Sequence, residues 1–252
     1  FVLGLGSQIR AHITKRFSMP WSSPAARMRE FILAMRAIWD NWHEGKALEF
    51  AGKFYTHTLM TPFFTPSGND FGAPKVFLAA VGPKMTEVAG EVADGMIVHA
   101  FTTEKYLRET TLPSLEKGFA KAGKTRADFE ISYPVFVCTG QTEEELEEAK
   151  RATAQQIAFY GSTPAYKPVL DSIGVGELQG DLNSMSKQGR WVEMGELITP
   201  EIMSEFAIIG EPDKVAGQIR SRYGDIVDRT SAAYANIPKS ERIKIISELS
   251  AG

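Results

Sequence analysis

Short apolar runs that stop on glycine or proline, each followed by residues with helical spacing, recur along this chain, and that alternation constrains its fold more than any other feature. A short apolar run bounded by turn signals suits a strand buried on both faces. Strands that alternate with helices form a parallel sheet covered by those helices. Residues 1–6, 76–81, 95–99, 130–139 and 226–232 read as such strands. Pro134 marks an edge or a bulge in the fourth, because it has no N–H to give a ladder. Ser23-Pro24 reads as an N-cap and first helical position, and Met28, Phe31, Ile32, Met35, Ile38, Trp39 and Trp42 then form one apolar face up to Gly45. Further helices are expected over 85–93, over 103–122 (closed by Gly123), over 211–223 and over 239–249. Another starts at the capping box of Thr142 and Glu145 and runs to about residue 160.

Two stretches leave the pattern. In residues 46–73, Leu48-Glu49-Phe50 and Phe54-Tyr55-Thr56 flank Ala51-Gly52-Lys53, as in a hairpin with a three-residue turn, and a Pro- and Gly-rich loop follows. In residues 161–205 glycines multiply and periodicity weakens, which reads as an insertion of short helices. A parallel sheet of this kind is either open and doubly wound or closed as a barrel. Five strands are three fewer than a (β/α)8 barrel needs. The chain also starts inside an apolar run, Phe1-Val2-Leu3, where domains normally begin with a frayed surface segment. Three strand–helix pairs ahead of residue 1 would account for both facts.

Charge and cysteine content exclude several classes. Lys and Arg number 28 against 31 Asp and Glu, a net charge of −3, so no basic excess offers a nucleic-acid footprint. No run of ~18 apolar residues is present to span a membrane. Cys138 is the only cysteine, which rules out a disulfide framework and suits the cytoplasm; lying in an apolar run, it reads as a small buried hydrophobe. The histidines at 12, 43, 57 and 99 lack metal-ligand spacing, and no metal site is expected. Gly4-Leu5-Gly6 opens like a dinucleotide fingerprint, but Ile9 stands where its third glycine belongs.

What remains is position. In parallel α/β folds ligands sit at the carboxyl ends of the strands. Those ends carry Gly6-Ser7, Ala79-Ala80-Val81-Gly82, His99 and Ser231. At the second, small residues let backbone approach a ligand, and Pro83 opens a helix whose free N–H groups face an anion. The alternative is that Ala79 and Ala80 only make room for packing.

Four segments together resemble the luciferase-like monooxygenase superfamily, in particular its branch of oxidoreductases that use the deazaflavin coenzyme F420. Phe1-Val2-Leu3-Gly4-Leu5-Gly6-Ser7 is similar to the family's fourth strand, and Leu78-Ala79-Ala80-Val81-Gly82-Pro83-Lys84 to the phosphate-binding turn after the fifth. Ala93-Asp94-Gly95-Met96-Ile97-Val98 resembles the start of the sixth. Phe206-Ala207-Ile208-Ile209-Gly210-Glu211-Pro212 with Val227-Asp228-Arg229-Thr230-Ser231 resembles the closing helix and strand.

The resemblance implies a (β/α)8 TIM barrel with an insertion before the last strand, residues 1–252 forming one partial domain and the first three strand–helix pairs absent from this sequence. It implies hydride transfer between F420 and a small organic substrate. The alternatives are an FMN-dependent monooxygenase on the same fold and a barrel that binds flavin without turnover. The backbone of Ala79, Ala80, Val81 and Gly82 would hold the cofactor phosphate, Ser7 and His12 would lie near the ring or its side chain, and His99 would face the substrate. Arg229 would face the cofactor tail or pair with an acidic residue, and His99 is otherwise an ordinary half-buried histidine. Val81 departs from the family, whose members often carry a second glycine there. A homodimer or higher homo-oligomer is expected, with neither nucleic acid nor membrane as partner.

Overall fold

A computed structural model describes residues 1–230 and 238–251. Along the chain run β1 (Val2–Leu5), α1 (Pro24–Glu44), β2 (Phe50–Ala51), β3 (Thr56–His57), β4 (Lys75–Ala80), α2 (Pro83–Val92) and β5 (Gly95–Val98). Then come α3 (Glu104–Tyr106), α4 (Leu112–Ala122), β6 (Glu130–Tyr133), β7 (Phe136–Cys138) and α5 (Glu143–Gly161). The remainder is α6 (Lys167–Ser172), α7 (Leu178–Lys187), α8 (Trp191–Glu196), α9 (Pro200–Phe206), β8 (Ala207–Ile209), α10 (Pro212–Tyr223), β9 (Arg229–Thr230) and α11 (Lys239–Ser250). These fall into two compact units: residues 1–97 with 113–130, and residues 98–112 with 131–252.

In the first unit β1, β4 and β5 are neighbours in that order, and β1 runs parallel to β4 with Val2 opposite Lys75 and Leu5 opposite Leu78. Val76, Phe77 and Leu78 are buried, as a strand covered on both faces requires. Asp94, in the turn after α2, explains why the helix must stop and the chain re-enter the sheet. Its Oδ2 accepts from the backbone N–H of Val76 at 2.8 Å and from Arg36 at 2.9 Å. Arg36 also donates to Val92 O and Lys124 to Ala93 O, so two cations satisfy carbonyls that the end of α2 leaves unpaired. A Cβ at Gly95 would meet the Phe77 ring and Glu130 O, leaving no side chain able to start β5. Between α2 and α4 backbone meets backbone: a Cβ at Gly118 would strike Glu87 O.

The second unit pairs β6 with β9 and β7 with β8, both parallel. Its core is a cluster centred on Phe101, Phe136, Ile157, Leu170, Leu182 and Phe206, into which the short helices α6 to α9 pack. Those helices occupy the stretch expected as an insertion.

Several local expectations need correction. Residues 130–139 form two strands that pair with different partners, because Pro134 ends the first ladder. Ala207–Ile209 is a further strand; three residues, two of them buried, are too short to show a period of two. The last strand starts only at Arg229, since the N–H groups of Ile226 and Val227 both donate to Tyr223 O at the end of α10. The rest of that expected strand, including Ser231, lies outside the described residues. The hairpin is present, with Phe50 opposite His57 and Ala51 opposite Thr56, but its connection is four residues rather than three. Glu30 of α1 sets that length: its carboxylate accepts from the N–H groups of Lys53, Phe54 and Tyr55, at 3.0, 2.5 and 2.7 Å. Ser23 does precede α1, yet its backbone is left-handed and its side chain makes no cap bond.

Candidate functional site

The first unit presents the strand-end turn. β4 alternates its last two side chains, with Ala80 buried and Ala79 on the open face. A Cβ at Gly6 would meet the Cβ of Ala79 at 3.5 Å, so the ends of β1 and β4 lie flush and free of bulk. Of the two readings of the alanines, packing accounts for Ala80, and Ala79 belongs to an accessible surface. Gly82 then occupies the N-cap position of α2 in extended geometry, φ −88° and ψ 160°, with Pro83 as first helical residue. Its carbonyl accepts from both Met85 and Thr86 at 3.1 Å. Lys84 N–H, in the first turn, has no helical acceptor, and Pro83 has no N–H at all. A Cβ at Gly82 would meet nothing within 4 Å, so open space faces the turn. Open space, a helix dipole and first-turn N–H groups suit a phosphate.

Ser7 and His12 follow β1. Ser7 Oγ donates to Gln8 O at 3.3 Å, and His12 Nδ1 lies 3.2 Å from Gln8 Oε1 on the exposed surface. Gln8, held at φ 58°, turns the chain sharply between them.

The second unit presents His99, just after β5, in an aromatic enclosure. Tyr160 at the end of α5 meets the imidazole edge to face at 4.7 Å, and Tyr166, in the turn Pro164–Tyr166, lies over it at 4.8 Å and 31°. Phe101 stacks on Phe206 at 4.6 Å and supports both tyrosines from behind. Gly161 lets this happen, because a Cβ there would press on Leu182 and reach Phe101. The backbone N–H of Phe101 donates to His99 Nδ1 at 3.1 Å. Burial pushes the imidazole below its ordinary pKa and the Tyr166 phenol above its own.

Within this unit Arg229 is not part of that enclosure. It sits at the exposed start of β9, opposite Ser132, lining a cleft with Arg220, Tyr223 and Leu249. Sequence reasoning missed Tyr160, Tyr166 and Phe101. The first two lie in or beside the stretch set apart as an insertion, and only packing brings them to residue 99. Cys138 is buried and its thiol is pushed up by burial. Among the described residues no group of three or more His, Cys, Asp or Glu could hold a metal, and no helix is long and apolar enough to cross a membrane.

Parallel strands that alternate with helices define an α/β fold, and strand-end turns are where such folds place their ligands. The luciferase-like monooxygenase family model matches residues 1–229, and the chain belongs to that family. An uncharacterized protein of Mycobacterium tuberculosis (strain ATCC 25618 / H37Rv) is 52% identical over 228 residues, covering 90% of this chain and 67% of the relative. The 5,10-methylenetetrahydromethanopterin reductase of Archaeoglobus fulgidus is 28% identical over 225 residues, 86% of this chain and 62% of that protein. The solved coenzyme F420 dependent tetrahydromethanopterin reductase from Methanopyrus kandleri superposes with a TM-score of 0.75 at 20% identity, covering 97% of this chain and 72% of that one. This chain therefore has the luciferase-like barrel fold, spans about two thirds of the length of its relatives, and its relatives of named activity here are oxidoreductases.

Proposed function

We propose that the chain is an F420-dependent oxidoreductase, with the Gly82 turn holding the cofactor phosphate and His99 on the substrate side. The observation that carries the reading is the turn itself: a glycine N-cap with clearance for a ligand, first-turn N–H groups and no side chain in the way. Relatives whose names state F420 dependence support this cofactor, with FMN as the alternative on the same fold. When bound, F420 would supply two-electron hydride chemistry toward an organic substrate, one oxidised as the other is reduced. The chain's own part is binding and orientation. Backbone from Ala79 to Gly82 holds the anion, Gly6 and Ala79 keep the strand ends low, and Ser7 and His12 offer polar groups beside them. Arg229, in its own cleft, belongs to the reading only as a contact for the polar tail.

The test is to titrate F420 and FMN separately into the wild type and Gly82→Asp, following each chromophore. Asp is a favoured N-cap residue and has room at 82, so the variant should melt no lower than the wild type. Its carboxylate would occupy the anion position, so F420 affinity should fall by about 2–4 kcal/mol, roughly 30- to 1,000-fold. Undiminished F420 affinity in the folded variant would remove the phosphate from this turn. Binding of FMN in preference to F420 by the wild type would replace the cofactor reading with the flavin one.

A further inference from the structure

We propose that His99 is held as an uncharged hydrogen-bond donor, its proton fixed on Nε2 by the Phe101 N–H bond to Nδ1, and that this donor receives an oxygen of the substrate, a carbonyl or a hydroxyl. The inference rests on the reading above only for the statement that His99 faces a substrate.

A neutral imidazole has one N–H and one acceptor nitrogen. The Phe101 N–H donates to Nδ1 at 3.1 Å, so Nδ1 must present its lone pair and the proton must sit on Nε2. Protonating Nδ1 would set one N–H against another, which opposes the charged form. Burial acts in the same direction. The titratable groups packed on the ring are the phenols of Tyr160 and Tyr166; burial pushes the latter further above its ordinary pKa, so it supplies no charge that would draw a proton onto the imidazole.

The same two rings cover the face and one flank of the imidazole, which fixes its plane. Among the described residues no protein group partners Nε2. A half-buried donor with a locked tautomer, a held plane and no partner is complete except for an acceptor. An uncharged donor favours a neutral oxygen over a carboxylate. The general reason such an N–H helps a reaction is that it strengthens as negative charge grows on the oxygen it touches; no proton need leave Nε2.

Two measurements decide the matter. The first needs no cofactor: nitrogen-detected NMR of the full chain with isotope-labelled histidine at about pH 7.5, assigned by comparison with His99→Gln. Expected is an unprotonated Nδ1 and a protonated Nε2. A proton on Nδ1, or a charged ring at that pH, overturns the proposal whichever cofactor the protein takes.

The second uses the holoprotein and a panel of small ketones and secondary alcohols, with the cofactor's absorbance as readout. His99→Ala should lose about a hundredfold in kcat/KM, while His99→Gln, which keeps an N–H near the Nε2 position, should stay within about tenfold of wild type. Both variants should bind cofactor as the wild type does. Full activity in His99→Ala, or turnover by wild type confined to substrates without such an oxygen, overturns the role. If F420 and FMN both fail to bind, the functional reading falls, and the NMR result still decides the tautomer.

Discussion

The Gly82 turn and the His99 enclosure are built on opposite plans. The turn consists of backbone, from residues adjacent in sequence, and its working feature is the absence of side chains. The enclosure consists of side chains from residues 99, 101, 160, 166 and 206, and its working feature is their mutual packing. A backbone-built site survives most substitutions that leave the strand and helix in place. A side-chain-built one depends on the whole core behind it.

The hardest strike at this contrast is Phe206→Ala. Phe206 is fully buried and stacks on Phe101, so truncation should cost about 3–5 kcal/mol in a denaturant melt and loosen the rings around His99. A loss under about 1 kcal/mol would mean the aromatic cluster is not the core it looks to be. In the first unit the corresponding strike is addition, not removal. Gly118→Ala forces a Cβ into the backbone of α2, and about 1–3 kcal/mol of destabilisation is expected there. Ready acceptance of alanine would show that α2 and α4 can slide apart.

Acid sharpens the comparison next. His99 has its folded pKa depressed by burial, so it contributes stability that is present above its ordinary 6.5 and lost as pH falls through the folded value. Melting temperatures should therefore fall more steeply below pH 6.5 in the wild type than in His99→Gln, which cannot titrate. Parallel curves would mean the imidazole is already well hydrated. The mildest change is Gly82→Ala, where φ is negative and space is open. Only the poorer N-cap should be felt, about 0.5–1 kcal/mol in a thermal melt, with cofactor binding largely kept.

The legibility of the two regions in sequence follows the same divide. The capping box at Thr142 and Glu145 is found as expected, with Glu145 N–H donating to Thr142 Oγ1 and the Glu145 carboxylate accepting in return. Pro83 opens α2, and Gly45 and Gly123 end their helices at positive φ. All of these are decided by groups a few residues apart, and local sequence states them outright. The three-residue hairpin turn failed because its length is set by Glu30, more than twenty residues away. The single strand over 130–139 failed because two halves of it found two different partners.

Residue order alone carries the alternation of strand and helix, the family, and the strand-end turn that leads through Gly82 into α2. Each depends on residue order and on forces that act within a few peptide units. What surrounds His99 comes from packing between distant segments. Tyr160 and Tyr166 lie more than sixty residues downstream, at the end of α5 and in the turn after it, and nothing in their local pattern marks them. They meet the imidazole because Phe101, Leu182 and Phe206 bury a common apolar surface, and burial is a property of the packed chain as a whole.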